Sequence, residues 1–156
     1  MDFSSIFFAA IPGIFFTYLN LYVLGNTLAD QQQIVVYGIL IGLILHVSLS
    51  IIKVPLDTII FGIKSTDKNK YDSANLKLWA NNKQALAWNF NQQAALWGDF
   101  GLGFVVSLII WTFKPVEILF GIWFTILSAI SFFLYIHYKM KEVDTVMTTI
   151  KLKSKI

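Results

Sequence analysis

The chain of 156 residues contains no cysteine. This excludes disulfide bonds, thiol catalysis, iron–sulfur clusters and lipid attachment through sulfur. Arginine is also absent, because every basic side chain apart from the two histidines is a lysine. The absence of arginine disfavours bidentate phosphate recognition, and we expect no nucleic-acid partner. Two distant histidines without cysteine argue against zinc, so we expect neither a metal nor a cofactor.

Charged residues are scarce, whereas apolar residues are abundant. Only 13% of the residues are charged, 56% are hydrophobic, and the mean hydropathy is +0.66. These values lie outside the usual range of soluble domains. The apolar residues form four long blocks that are apolar on every side, without the polar outer face of a soluble helix. The composition therefore predicts an all-α, polytopic membrane protein.

The four blocks predict four transmembrane helices, at about residues 3–24, 34–53, 96–113 and 116–138. A helix needs about 20 residues to cross a hydrocarbon core of about 30 Å. The third block reaches this length only if it begins near Leu96, which puts Asp99 close to its inner end. The first two helices, and the last two, are joined by short connections. We therefore expect two antiparallel hairpins in a single membrane domain over residues 1–156.

The distribution of lysine predicts the orientation. Five lysines lie between the second and third blocks and five follow the fourth, whereas the first connection has none. Positive residues stay on the cytoplasmic side, so we expect both termini in the cytoplasm. The exclusive use of lysine, together with abundant Asn, Ile and Phe, suggests a bacterial or phage-encoded protein of a cytoplasmic membrane.

Two segments are expected to lie outside the bilayer. Residues 54–95 are predicted to form a cytoplasmic interfacial segment, and residues 139–156 a solvated basic tail attracted to the membrane. Within the first segment, the run 76–97 predicts an amphipathic helix. Its apolar face carries Trp79, Leu86, Phe90 and Trp97. We expect this face either to lie among lipid headgroups or to pack on the bundle or a partner protein.

Polar side chains within the apolar blocks define a candidate site. His46 is the only ionisable side chain deep in any predicted span. It is either a proton carrier or ligand contact, or a structural group that hydrogen-bonds Ser107 or Ser128. Pro12 and Gly13 predict a helix break at the same depth. The other residues predicted to line a ligand or ion pathway are Ser50, Thr17 and Asn20.

Small and acidic residues add further expectations. Gly38 and Gly42 form a pair of small residues four apart, which predicts close helix packing. Asp57 and Asp99 are expected near the inner boundary, with Lys53 as the ion-pair partner of one of them. No reactive constellation is visible, and we expect no enzymatic activity.

The polar faces and the small size predict a channel-like or transporter-like component centred on His46. Four helices from one chain enclose little space, so we expect a homo-oligomer. Two alternatives remain open at this stage. One is an accessory or anchoring subunit that recruits a cytoplasmic protein partner through the 76–97 helix. The other is a holin-like or defence protein that permeabilises the membrane.

Overall fold

The structure, a computed structural model, describes residues 3–23, 31–64, 66–80, 85–113 and 118–153, with side chains at 8–21, 32–64, 66–79, 85–113 and 118–148. The described residues form five helices. In chain order these are α1 (Phe3–Val23), α2 (Gln31–Ile63), α3 (Lys68–Ala80), α4 (Ala85–Phe113) and α5 (Ile118–Lys153). The predicted all-α class is confirmed.

Three stretches are long and apolar enough to cross a membrane by length and composition: Gln32–Ile63, Ala85–Phe113 and Ile118–Thr148. The described part of α1 adds a shorter apolar helix, Phe8–Leu21. Three such helices in one small chain are compatible with an integral membrane protein. The fourth span stays a prediction.

Two of the long helices extend beyond their predicted ends. α2 continues through Pro55 to Ile63. Proline removes one backbone hydrogen bond, and the turn that follows is held by the buried side chains of Ile60 and Phe61. α5 continues to Lys153, with Val143 and Val146 buried. Residues 139–148 are therefore helical and packed rather than the beginning of a solvated tail.

The predicted amphipathic helix at 76–97 is not confirmed: the structure describes α3 to Ala80 and α4 from Ala85, and residues 81–84 of the predicted helix lie outside the described residues. α3 is instead held by an apolar stripe that begins before residue 76. Tyr71, Ala74 and Leu78 recur at the spacing of one helix face and are buried in the core that also includes residues of α5. We call the end of the bundle where α3 packs on α5 the α3 end.

The four residues predicted to share one apolar face have different surroundings. Trp79 and Leu86 are exposed. The Phe90 ring stacks on Tyr138 with centroids 6.5 Å apart, and Trp97 contacts Phe100 at 5.9 Å. Residues 85–95 extend the third apolar helix, so Phe90 and Trp97 belong to the bundle.

α1 and α2 cross in antiparallel fashion with their backbones in contact. A Cβ atom on Gly13 would lie 1.9 Å from the Gly38 carbonyl oxygen, and one on Gly42 would lie 2.0 Å from the Ala9 carbonyl oxygen. Only glycine permits this approach. The Gly38 and Gly42 pair thus serves packing within the chain. The predicted break at Pro12 and Gly13 is not present, because α1 is continuous through Pro12 and tight packing on α2 supports that turn.

α4 and α5 form the second antiparallel pair. The Ser128 hydroxyl donates a hydrogen bond to the Gly101 carbonyl oxygen at 3.2 Å, which joins the two helices. Gly98 and Gly101 leave room on the same face of α4 for the rings of Tyr135 and Phe132. This close packing fixes the position of α5 along the axis of α4, and with it the α5 residues that face the interior.

The glycine crossing predicts a position-dependent effect of alanine. Gly13→Ala or Gly42→Ala places a methyl group against a carbonyl group of the facing helix, and we expect a loss of roughly 1–3 kcal/mol of stability. Gly62→Ala is the matched control, because a Cβ there meets nothing within 4 Å. Thermal unfolding in detergent measures both. Equal behaviour of the three variants would contradict the crossing.

Candidate functional site

An imidazole–carboxylate pair joins the centres of α2 and α4. His46 Nδ1 lies 2.9 Å from Asp99 Oδ2. Asp99 is 1% exposed, and its other oxygen, Oδ1, makes no hydrogen bond to a described residue. His46 is half-buried and keeps its second ring nitrogen, Nε2, outside the pair. One proton between His46 Nδ1 and Asp99 Oδ2 makes this hydrogen bond. It is bonded either to the imidazole nitrogen or to the carboxylate oxygen.

The pair lies deep because both residues are central in their helices. Asp99 is the middle residue of the 29-residue α4, and His46 is next to the middle of the 33-residue α2. Asp99 was predicted near the inner boundary because the third span was expected to begin near Leu96. The start at Ala85 moves Asp99 to the level of His46.

Ser107 and Ser128, the hydrogen-bond partners expected for His46, do not bond it. Ser128 bonds the Gly101 carbonyl oxygen. The Ser107 hydroxyl is fully buried and makes no hydrogen bond to a described residue. Both serines lie within the α4–α5 pair and neither lines the cavity described next. Asp99, which the sequence analysis assigned to the boundary, satisfies His46 instead.

A polar cavity of about 120 Å³ extends from His46 toward the α3 end. Its polar wall combines groups from α2, α4 and α5. The residues are His46, Ser50, Lys53, Asn91, Gln92, Tyr135 and Lys139. Ser50 also donates a hydrogen bond to the His46 carbonyl oxygen at 3.1 Å. The cavity therefore gives the buried pair a polar neighbourhood on one side.

A second group of polar residues bounds the cavity at the α3 end. Lys139 Nζ donates hydrogen bonds to Glu142 Oε2 at 2.5 Å and to Asn91 Oδ1 at 3.3 Å. The Tyr71 hydroxyl donates to Glu142 Oε1 at 2.5 Å, so α3 is tied to the same group. Burial, reinforced by Glu142, raises the pKa of the Tyr71 hydroxyl well above its usual range. Tyr71 therefore remains a donor at physiological pH.

Lys53 and Asp57 complete the polar residues around the cavity. The Tyr135 hydroxyl donates to Asp57 Oδ1 at 3.2 Å. Lys53 interacts electrostatically with Asp57, Glu142 and Lys139. Among the described residues, it forms neither a hydrogen bond nor an ion pair at contact distance. The ion pair expected between Lys53 and Asp57 or Asp99 is therefore only a longer-range attraction, to Asp57.

The charges around the cavity balance when one proton is shared between His46 and Asp99. The cationic groups are then matched one for one by carboxylates if that proton is on the imidazole. The groups are His46, Lys53 and Lys139 against Asp57, Asp99 and Glu142. Moving the proton to Asp99 neutralises one group of each sign. Loss of the proton leaves an uncompensated negative charge in a low-dielectric interior, which is unfavourable.

Beyond the pair, away from the α3 end, most of the side chains between α1, α2 and α4 are apolar. A cleft of about 510 Å³ runs between α1, α2 and α4. Thr17 and Asn20 line it, but each hydroxyl or amide donor bonds a carbonyl oxygen of its own helix, at 2.8 Å. Of the residues predicted to line a pathway, His46 and Ser50 line the polar cavity, whereas Thr17 and Asn20 line the apolar cleft.

The part of the site that α5 supplies was not predicted. Lys139 and Glu142 fall in the segment that was expected to be a solvated tail, and Tyr135 was not among the predicted site residues. Their spacing of four and three residues places them on one side of a helix, and that signal was present in the sequence. Within the described residues, no three His, Cys, Asp or Glu side chains converge as a metal site.

We expect strong energetic coupling between His46 and Asp99. Replacing either residue alone by leucine leaves a buried polar partner unpaired, which typically costs roughly 3–5 kcal/mol, whereas replacing both is often close to neutral. A double-mutant cycle in detergent measures the coupling. The exposed ion pair Lys64–Asp144, at 2.6 Å, is the matched control and should couple by less than about 1 kcal/mol. Equal coupling in the two cycles would contradict the assignment.

The buried pair and its one-sided polar cavity are the features on which a functional assignment depends. Comparisons with protein-family models, curated proteins and solved structures gave no match to this chain.

Proposed function

We propose that this chain is a small membrane protein that moves protons as part of a transport or channel function. The observation that carries the proposal is the His46–Asp99 pair at the centre of two long apolar helices. Ionisable groups at such depth are unfavourable unless they are paired, and their usual roles are in proton or ion pathways. Imidazole and carboxylate are also the common groups for proton transfer at physiological pH.

The surroundings of the pair support access from one side. The polar cavity reaches His46 from the α3 end, where Lys53, Asn91 and Lys139 line its walls. On the other side the apolar cleft offers few hydrogen-bonding groups. Protons move along chains of polar groups and are obstructed by apolar regions. The arrangement therefore corresponds to one state of a cycle, in which the proton-binding pair communicates with the α3 end.

The topology belongs to the same proposal. Four spans with the α3 end in the cytoplasm satisfy the positive-inside rule, because α3 and the last turns of α5 carry most of the lysines. The apolar outer faces of α2 and α5 then meet lipid chains or further copies of the chain. A homo-oligomer stays part of the proposal, because one chain encloses only a small cavity.

Proton transfer is tested by purified protein in vesicles that contain a pH-sensitive dye. After a pH gradient and a membrane potential are imposed, we expect proton entry well above that of protein-free vesicles. Asp99→Asn keeps the size of the side chain but removes its ionisation, and His46→Gln removes the imidazole. We expect each to lower the rate at least about tenfold, a barrier increase of about 1.4 kcal/mol.

Asp144→Asn is the matched control, because Asp144 is an exposed carboxylate on α5 outside the cavity. Its rate should equal that of the unaltered protein. A rate unchanged by Asp99→Asn, or flux no higher than in protein-free vesicles, would refute proton transfer. Large solutes that leak at the same rate as protons would favour the membrane-permeabilising alternative.

A second candidate function is the anchoring of a partner protein at the α3 end. It is favoured by three exposed apolar side chains at neighbouring helix ends, Leu76 (71% exposed), Trp79 (46%) and Leu86 (56%). Exposed apolar residues next to charged α3 positions resemble the core and rim of a protein interface. Phe90 and Trp97 are packed within the bundle and do not contribute to this surface.

For the anchoring function, the informative variant is Leu76→Ser combined with Leu86→Ser. Affinity purification in mild detergent should recover a stoichiometric partner with the unaltered protein and lose it with this variant, since both anchors are removed. Leu119→Ser is the control, because Leu119 is as exposed as Leu86 but lies at the opposite end of the bundle. Recovery of this chain alone, from the unaltered protein, would reject the anchoring function.

A further inference from the structure

We propose that the polar cavity binds a small monocarboxylate anion, of about the size of acetate, beside the His46–Asp99 pair. The inference deepens the proposed function and depends on it for its transport meaning, since it names the solute that would accompany the proton. It is based on the free hydrogen-bond donors of the cavity, on its volume and on the residues that line it.

The polar wall of the cavity presents donors that have no partner among the described residues. Lys53 offers an ammonium group that is not in contact with a carboxylate. Gln92 is 6% exposed and makes no hydrogen bond to a described residue. Asn91 uses its oxygen to accept from Lys139, which leaves its amide hydrogens available. Lys53 and Asn91 are half-buried, and all three residues line the cavity, so an anion bound there would gain charge-assisted hydrogen bonds from donors that the protein leaves open.

Each carboxylate of the region accepts at least one hydrogen bond, and none of them lines the cavity, so the groups that do line it favour an anion over a cation. Glu142 accepts from Lys139 and Tyr71, Asp57 accepts from Tyr135, and Asp99 pairs with His46. The free donors belong to residues that line the cavity, whereas Asp57, Asp99 and Glu142 do not line it. A cation in the cavity would therefore meet Lys53 rather than an open carboxylate.

Size and polarity narrow the anion to a short carboxylate. A volume of about 120 Å³ corresponds to about four water molecules at ~30 Å³ each, more than a halide ion occupies and less than a dicarboxylate with a long chain requires. Leu49, Ala94 and Ala95 add apolar surface to the lining of the cavity. A methyl or ethyl group fits that surface while the carboxylate faces Lys53 and Gln92.

The position of His46 connects the anion to the proton. Its Nδ1 faces Asp99, and its side chain lines the cavity with Nε2 outside the pair. When Nδ1 alone is protonated and Asp99 is ionised, a second proton on the imidazole makes Nε2 a donor toward the cavity and gives the imidazolium form in which the surrounding protein charges balance. One anion and one added proton enter without a change in net charge, which minimises the cost of moving both through a membrane.

Binding is measured by calorimetry on the purified protein in detergent, with acetate, acetamide and chloride as separate probes. Acetamide has the shape of acetate without its charge. We expect acetate to bind at least tenfold more tightly than acetamide or chloride. Lys53→Gln and Gln92→Leu should each weaken acetate at least tenfold, whereas Lys53→Arg should retain binding. Lys70→Gln, an exposed lysine on α3, is the control and should bind as the unaltered protein does.

Equal affinity for acetate and acetamide, or for acetate and chloride, overturns the proposal without the use of any variant. Unchanged acetate binding in Lys53→Gln overturns it as well. The measurement involves no proton flux, so its result is separate from that of the vesicle assay. Acetate binding in a protein that conducts no protons would keep the anion site and remove the proposed proton transfer, and the converse result would remove only the site.

Discussion

The His46–Asp99 contact is the interaction on which the interior arrangement depends. A carboxylate at the centre of an apolar helix is unfavourable by itself, and an imidazole at 2.9 Å compensates it only while the two helices hold one relative level. That level is set by backbone contacts rather than by long side chains, because α2 lies against α1 through glycines. Phe16 of α1 in turn packs on Phe104 of α4, with ring centroids 4.9 Å apart. The polar pair therefore depends on some of the tightest apolar packing in the bundle.

The second consequence of the pair is a division of the interior into a polar half and an apolar half. The α3 half contains the lysines, amides and carboxylates, which satisfy one another in a connected group. In the other half, the polar groups of Thr17 and Asn20 donate to backbone carbonyls of their own helix. Connected polar groups are favourable only when nearly every member is satisfied. Lys53 and Gln92 make no hydrogen bond to a described residue and line the cavity, so they are positions where a bound solute would gain contacts.

Much of the fold followed from composition and periodicity, while the site followed only in part. Long apolar blocks predict helices, and the small residues Gly38 and Gly42 predicted a close crossing that the structure contains. Hydropathy, however, ends a span at the first charge. It therefore could not reveal that α4 begins at Ala85 or that α5 continues past Lys139, since pairing makes those charges compatible with burial. The contact of Asp99 with His46 was not predicted for the same reason, because the position of Asp99 was counted from an assumed helix start. Which residues of two distant helices form a hydrogen bond depends on how far the helices are shifted along their axes. Local sequence patterns do not specify that shift.

Tyr135, Lys139 and Glu142 are spaced so that they stand on one side of a single continuous helix, the 36-residue α5. In an α-helix each residue advances by about 100° around the axis, at 3.6 residues per turn. A modest axial rotation of α5 would therefore withdraw all three side chains together and release Asp57, Asn91 and Tyr71 at the same time. Because one continuous helix makes all three contacts, they form and break together.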